Sequence, residues 1–394
     1  MSDPTTLIQD QVAAREGELI AFRRDLHAHP ELGFTESRTT GRIVDALTAA
    51  GLSPTVFALG TGVRVDIGAS LDGPMIAIRA DIDALPIQET TGLPYASTID
   101  GVCHACGHDV HTTIALGAAL TLAALARQGQ LPHPVRVIFQ PAEEIQPGGA
   151  GKVIAEGVLE GVSEVHALHC DPRVEVGRIG LTPGPITSAT DLISVRLTGP
   201  GGHTSRPHLT HDVVGAIGAL VTQGPLVLSR VVDPRGGVSL VWGSVHAGAA
   251  PNAIPAEGHL GGTLRALDLD AWREAGDRLE SVLSQIVAPY GVGFALDLVR
   301  AVPPVVNHPE ITAVQEAAAL IALGPDACEP TAQSLGGEDF GWMTQQVPGS
   351  MMRLGVRPPT ATTSVDLHQG SFVVDEAAIA VGVRLMSQLA VMPR

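Results

Sequence analysis

Between residues 103 and 111 the chain reads Cys103-His-Ala-Cys106-Gly-His108-Asp109-Val-His111, the densest run of metal-capable side chains in the sequence. In an irregular loop Cys106 and His108, two positions apart, can aim at one point, and a thiolate with an imidazole suits zinc and similar divalent cations. Gln140-Pro-Ala-Glu143-Glu144 follows the β-branched run Val135 to Phe139. Adjacent acids in a loop point different ways, so one can ligate a cation while the other takes a proton from water. His169 stands just beyond a further strand-like run, Val165 to Leu168, so each of these groups ends one of a series of strands, as convergent ligands should. Asp81 and Asp83 follow another such run and suit contact with ligands, orientation of imidazoles from behind, or a cap or turn.

Other readings of the same residues are open. Taken alone, Cys106 is a small buried hydrophobe, and two adjacent acids are more often solvated than catalytic. Cys103 and Cys106 form a C-x-x-C at the start of an apolar helix, which imitates a redox pair, but such a pair has no use for His108 or the carboxylates. The run Gly148-Gly-Ala-Gly151-Lys152 invites a phosphate-loop reading, yet Val153 occupies the place of the required Ser or Thr and the spacing is wrong.

The elements that must position these groups alternate. Helical periodicity at Leu7 to His27, Thr39 to Ala50 and Thr112 to Ala126 is interleaved with strand-like runs at Val63 to Ile67, Met75 to Arg79, Val135 to Phe139 and Val165 to Leu168. That order predicts an α/β domain with a mostly parallel sheet. From Leu192 the rhythm becomes strand, helix, strand, strand, helix, strand, which is the ferredoxin-like unit. After Val299 the first rhythm returns, so the expected organisation is a discontinuous domain, 1–185 and 302–394, interrupted by an inserted domain, 186–301. Pro183 to Pro185 and Pro303 with Pro304 read as hinges.

The 394 residues suffice for two or three cores, and a formal net charge of -17 argues against nucleic acid or an anionic membrane as partner. The N-terminus lacks a basic stretch leading into an apolar run, and the longest apolar segment, Thr112 to Ala126, is short of the roughly 18 apolar residues a bilayer requires. A cytoplasmic protein is expected. Four cysteines in a chain of this length are not a disulfide framework.

Taken together the motifs resemble the M20 metallopeptidase family, in particular its amidohydrolase branch of hippurate, N-acyl-amino-acid and auxin-conjugate hydrolases. The resemblance is carried by Arg23 to Glu31, Arg79 to Pro86, His104 to His111, Gln140 to Glu144, Ala167 to His169, Gly199 to His208, Pro251 to Pro255, Gly337 to Phe340 and Leu367-His368, and so covers nearly the whole chain. It implies two divalent cations per subunit, manganese or zinc first and cobalt or nickel also suited, held by Cys106 as bridging ligand with His108, Glu144, His169 and His368. His368, a lone histidine in Asp366-Leu-His-Gln, is a ligand that only the resemblance supplies.

The resemblance further implies Glu143 as general base, an inserted lid that mediates a homodimer, His203 as the lid group stabilising the oxyanion at a neighbouring active site, and Asn252 with Arg265 on the substrate carboxylate. Two departures from the branch stand out: Cys103 replaces a usual methionine, and Ile145-Gln-Pro replaces a glycine-rich continuation after Glu144. The expected activity is metal-dependent hydrolysis of the amide bond of a small N-acyl amino acid or similar conjugate. Alternatives are a dipeptidase or carboxypeptidase of the same fold, or a non-catalytic metal-binding protein.

Overall fold

The computed structural model describes residues 3–361 and 363–393. Its principal strands are β1 (Val63–Ile67), β2 (Met75–Asp81), β3 (Val135–Gln140), β4 (Val162–Glu175), β5 (Ala189–Thr198), β6 (Ser239–Ala247), β7 (Glu257–Ala266), β8 (Gly293–Val302) and β9 (Gly349–Arg357). Its principal helices are α1 (Pro4–Ala28), α2 (Ser37–Ala49), α3 (His108–Arg127), α4 (Val213–Val231), α5 (Leu269–Val287), α6 (Pro309–Leu323) and α7 (Ala377–Ala390).

Strands β3, β2, β4 and β9 lie side by side in parallel, with β1 antiparallel on β3. Short strands at Thr55–Val56, Ile179–Gly180 and Cys328–Glu329 complete an eight-stranded sheet. Every residue of β3 is buried, the pattern of a parallel strand covered on both faces. Helices α1, α3 and α7 pack on one another, and Leu19, Leu26, Ile114, Leu116 and Leu385 are at most 1% exposed in their shared core. Each such side chain contributes about 1.5–3 kcal/mol of transfer free energy.

Two helices, α3 and α4, are long and apolar enough by length and composition to cross a membrane, which corrects the expectation that no segment reaches that length. The helix that contains the run begins at His108, four residues before Thr112. The apolar window of α3 is 94% buried in this core.

The chain divides into two compact units, Met1–Ile186 with Val306–Ala332 and Trp342–Arg394, and Thr187–Val305 with Gln333–Gly341. In the second unit β6, β7, β5 and β8 form an antiparallel sheet in that order. Helices α4 and α5 cover it through Leu220, Leu228, Leu279 and Leu283. Asp212 and Asp268 start these helices by accepting the backbone N–H of Gly215 and Ala271, at 2.9 Å each. Gln333–Gly341, which the sequence places with the discontinuous domain, packs instead with the inserted unit. The reason is hydrogen bonding: Ser188 N–H donates to Gly336 O, Ser188 Oγ to Leu335 O, and Gln333 Nε2 to Thr187 O and Leu267 O.

Candidate metal centre

Cys106 and His108 flank Gly107, whose φ of 85° turns the chain into α3. A Cβ there would lie 2.8 Å from Cys170 Sγ, so glycine is required by conformation and by space. Glu144 follows β3, His169 lies within β4, and His368 approaches from a loop whose own N–H donates to Ala105 O at 2.9 Å. His368 has a φ of 62°, a left-handed backbone that a histidine adopts only where the surroundings impose it.

The ligating atoms converge. Cys106 Sγ is 3.6 Å from His169 Nε2, His108 Nε2 is 3.7 Å from Glu144 Oε1, and His368 Nε2 is 3.3 Å from the same oxygen. Bonds of about 2.0–2.3 Å to a tetrahedral cation separate the donors by roughly 3.3–3.8 Å, so this spacing fits ligands around a shared ion. Cys106, His108 and His169 form one compact donor group and Cys106, Glu144 and His368 another, with the cysteine common to both. His108 Nε2 and Glu144 Oε1 are buried and make no hydrogen bond, as expected of lone pairs kept for a cation. His169 engages Cys170 O through Nδ1 at 2.8 Å, which leaves Nε2 as its ligating atom.

Carboxylates surround this cluster. Asp83 Oδ1 lies 3.3 Å from His108 Nδ1, and its two oxygens accept the N–H groups of Glu143 and Glu144 at 3.0 Å each. Asp81 accepts from Arg79 Nη1 at 2.7 Å, contacts His111 Nδ1 at 2.6 Å and lies 3.7 Å from His108 Nε2 through Oδ1. Burial pulls the His108 imidazole down, but Asp81, Asp83 and Glu144 outweigh it and raise its pKa to about 10. A field that holds a proton so firmly would equally favour a metal dication. Behind α3, Asp109 is buried between Arg23 Nε at 2.7 Å and His27 Nδ1 at 2.8 Å, a tie from α1 to the ligand loop.

Glu143 is 8% exposed, and its side chain lies with those of His108 and Glu144 in one donor cluster. It follows Ala142, whose φ is 56° and whose N–H donates to Glu36 Oε1 at 2.8 Å. The glycine run rejected as a phosphate loop has a steric purpose: a Cβ at Gly149 would sit 1.9 Å from Pro141 O. Cys103 is buried against Leu85, and burial pushes its thiol up to about 11, so it is a packing residue rather than half of a reactive pair.

The second unit carries the other sequence candidates. Gly202–His203 pairs with Ala253–Ile254, and Thr204 N–H donates to Asn252 O at 3.2 Å, which places exposed His203 and Asn252 on one ribbon. His203 Nδ1 accepts the Ser205 N–H at 3.1 Å. Arg265, half-buried on β7, donates through Nη1 to Thr190 Oγ1 at 3.0 Å and Leu335 O at 2.9 Å. The structure thus gathers Cys106, His108, Glu143, Glu144, His169 and His368 in the first unit, and His203, Asn252 and Arg265 lie in the second. Sequence reasoning missed Glu36 as a neighbour of the site; its only signal is an acid at the start of a helix that makes no side-chain cap.

Residues 77–391 match the pattern of peptidase family M20/M25/M40. A Rhodococcus jostii protein named for glutamate–cysteine ligase 2-3 is 48% identical over 95% of this chain, and the chain spans 46% of that protein's length. An N-acetyl-L-cysteine deacetylase of Bacillus subtilis is 39% identical, with 92% of this chain and 85% of the relative covered. A Bacillus subtilis crystal structure described as a dinuclear metal-binding peptidase of family M20 aligns with a TM-score of 0.83 at 36% identity, covering 96% of this chain and 98% of that one.

Proposed function

Because the chain belongs to peptidase family M20/M25/M40, we propose that it is a metal-dependent amidohydrolase that cleaves N-acyl amino acids into a carboxylic acid and a free amino acid. The observation that carries this reading is a buried donor set with orphaned lone pairs and a further carboxylate, Glu143, beside it. A closed structural site has no use for that extra acid.

Two divalent cations held by Cys106, His108, Glu144, His169 and His368 would polarise the scissile carbonyl and acidify water. Cys106, shared by both donor groups, would be the ligand common to the two cations. A Cys, His and carboxylate set accepts manganese, zinc, cobalt or nickel, and manganese or zinc is proposed here. Glu143 takes the proton of the attacking water and delivers it to the departing nitrogen, so that the acid and the amine leave with atoms balanced. His203 donates to the carbonyl oxygen as negative charge develops, and Arg265 with Asn252 holds the free carboxylate of the amino acid.

N-acetyl-L-cysteine is the first substrate to try, since the deacetylase relative is named for it and the longer relative for cysteine ligation. The cysteines are unpaired thiols, which suits the reducing cytoplasm. Exposed apolar side chains on α4, Val214, Val221, Leu226 and Val231, support a homodimer through the inserted unit. The test is release of free amino acid from N-acetyl, N-benzoyl and longer N-acyl amino acids and from dipeptides, with manganese- or zinc-loaded enzyme and a chelated control. Metal-dependent release from the acyl conjugates is expected. Release mainly from dipeptides would make the protein a peptidase, and equal release after chelation would overturn the metal reading.

A further inference from the structure

We propose that Glu36 is a positioning residue for the reaction: its buried carboxyl group holds the backbone of Ala142 in the left-handed conformation that aims Glu143. The proposal rests on the reading of Glu143 as the base.

Glu36 is 0% exposed and opens α2, where Thr40 N–H donates to its carbonyl at 2.9 Å. At this position a short polar side chain turns back to cap the helix. Here the side chain makes no cap and reaches across the fold, where Oε1 accepts the Ala142 N–H at 2.8 Å. The next two amides, of Glu143 and Glu144, donate to the two oxygens of Asp83 at 3.0 Å each. Three successive N–H groups are therefore held by two buried carboxyl groups, one on each side of the Ala142–Glu143 linkage. The opposite face is closed as well, since Gly149 N–H donates to Ala142 O at 2.8 Å.

An alanine at a φ of 56° stays there only while its surroundings over-determine it. Of those restraints, the one on its own N–H comes from Glu36. The other carboxyl oxygen, Oε2, is buried without a hydrogen-bond partner, and the charge of Asp83 acts on the carboxyl group. Burial raises the Glu36 pKa to about 7, so its grip on the amide does not depend on full ionisation, and a carboxamide oxygen can replace it.

The test measures kcat, KM and bound metal on the metal-loaded enzyme with an N-acyl amino acid. Glu36→Ala is expected to lower kcat by about ten- to a hundredfold with KM and metal content unchanged, and Glu36→Gln to keep most of the turnover. Adding Ala142→Gly to Glu36→Ala should restore much of the lost kcat, because glycine adopts the positive φ unaided. General destabilisation would not be repaired by a glycine. If Glu36→Ala does not accumulate, Ala142→Val, which resists the left-handed region by itself, should show the same loss in kcat at constant KM.

Wild-type kcat in Glu36→Ala or Ala142→Val, loss of metal in Glu36→Ala, or no rescue by Ala142→Gly would each overturn the proposal. Glu143→Gln separates the two readings. If it keeps full turnover the base assignment itself is wrong, whereas an inert Glu143→Gln beside a fully active Glu36→Ala removes only the role of Glu36.

Discussion

The metal-ligand face of the first unit and the His203–Asn252 ribbon of the second are held in opposite ways. Every ligand-bearing segment of the first is fastened by buried partners: Asp83 to His108 and the Glu143–Glu144 backbone, Asp109 to Arg23 and His27, Ala105 to His368. In the second, His203 and Asn252 are exposed, and the His203 ring is engaged from two residues along its own chain. The difference teaches which groups need a fixed mutual distance before substrate arrives, and which need freedom to meet it. In the proposed mechanism the donor cluster must be preorganised, whereas His203 can complete its geometry on binding.

Substitutions can break or sharpen that contrast. His203→Ala is expected to lower kcat by about 10²–10³ with metal content untouched, measured by steady-state kinetics and metal analysis. Asp83→Asn does the opposite: an amide cannot accept two N–H groups through both atoms, so metal affinity should fall by about 10–100-fold in a competition with a chelator. Arg265→Lys removes the planar fork and should raise KM by about tenfold with little change in kcat; a changed kcat at constant KM would place Arg265 elsewhere in the mechanism.

The smallest effect is on stability. Burial lifts Glu36 from an ordinary value of 4.5 to about 7 in the folded state, so its contribution is complete below about pH 4.5 and is lost as pH rises through about 7. Glu36→Gln escapes that loss. Its melting temperature relative to wild type should rise between pH 5 and pH 8, and a constant difference would mean that the carboxyl group titrates normally.

The parallel strands were legible as short apolar and β-branched runs, and the antiparallel β1 as the alternating run Val63–Ile67, whose bounds the structure keeps. Strand β4 runs well past the expected Val165 to Leu168, because its ladder with β9 continues to pair Gly355 with Asp171. Cys106, His108, Glu144 and His169 could be found because each sits near the end of an apolar run. His368 could not, because its approach depends on a left-handed backbone and on a hydrogen bond to Ala105, 263 positions earlier, neither of which leaves a local pattern. Glu36 was hidden for the same reason: its partner lies 106 residues away.

The donor set runs from Cys106 to His368, and Arg23 and Arg24 close on Glu376 near the far end of the chain. Strand β4 finds its neighbour β9 only after the whole sheet of β5 to β8 has been made. During synthesis the interrupting sheet is therefore complete while the unit it interrupts still lacks a central strand and its last ligand. With the proposed donor set, metal capture is a late event in biogenesis, since a chain terminated before His368 would leave Cys106, His108, Glu144 and His169 without their last partner.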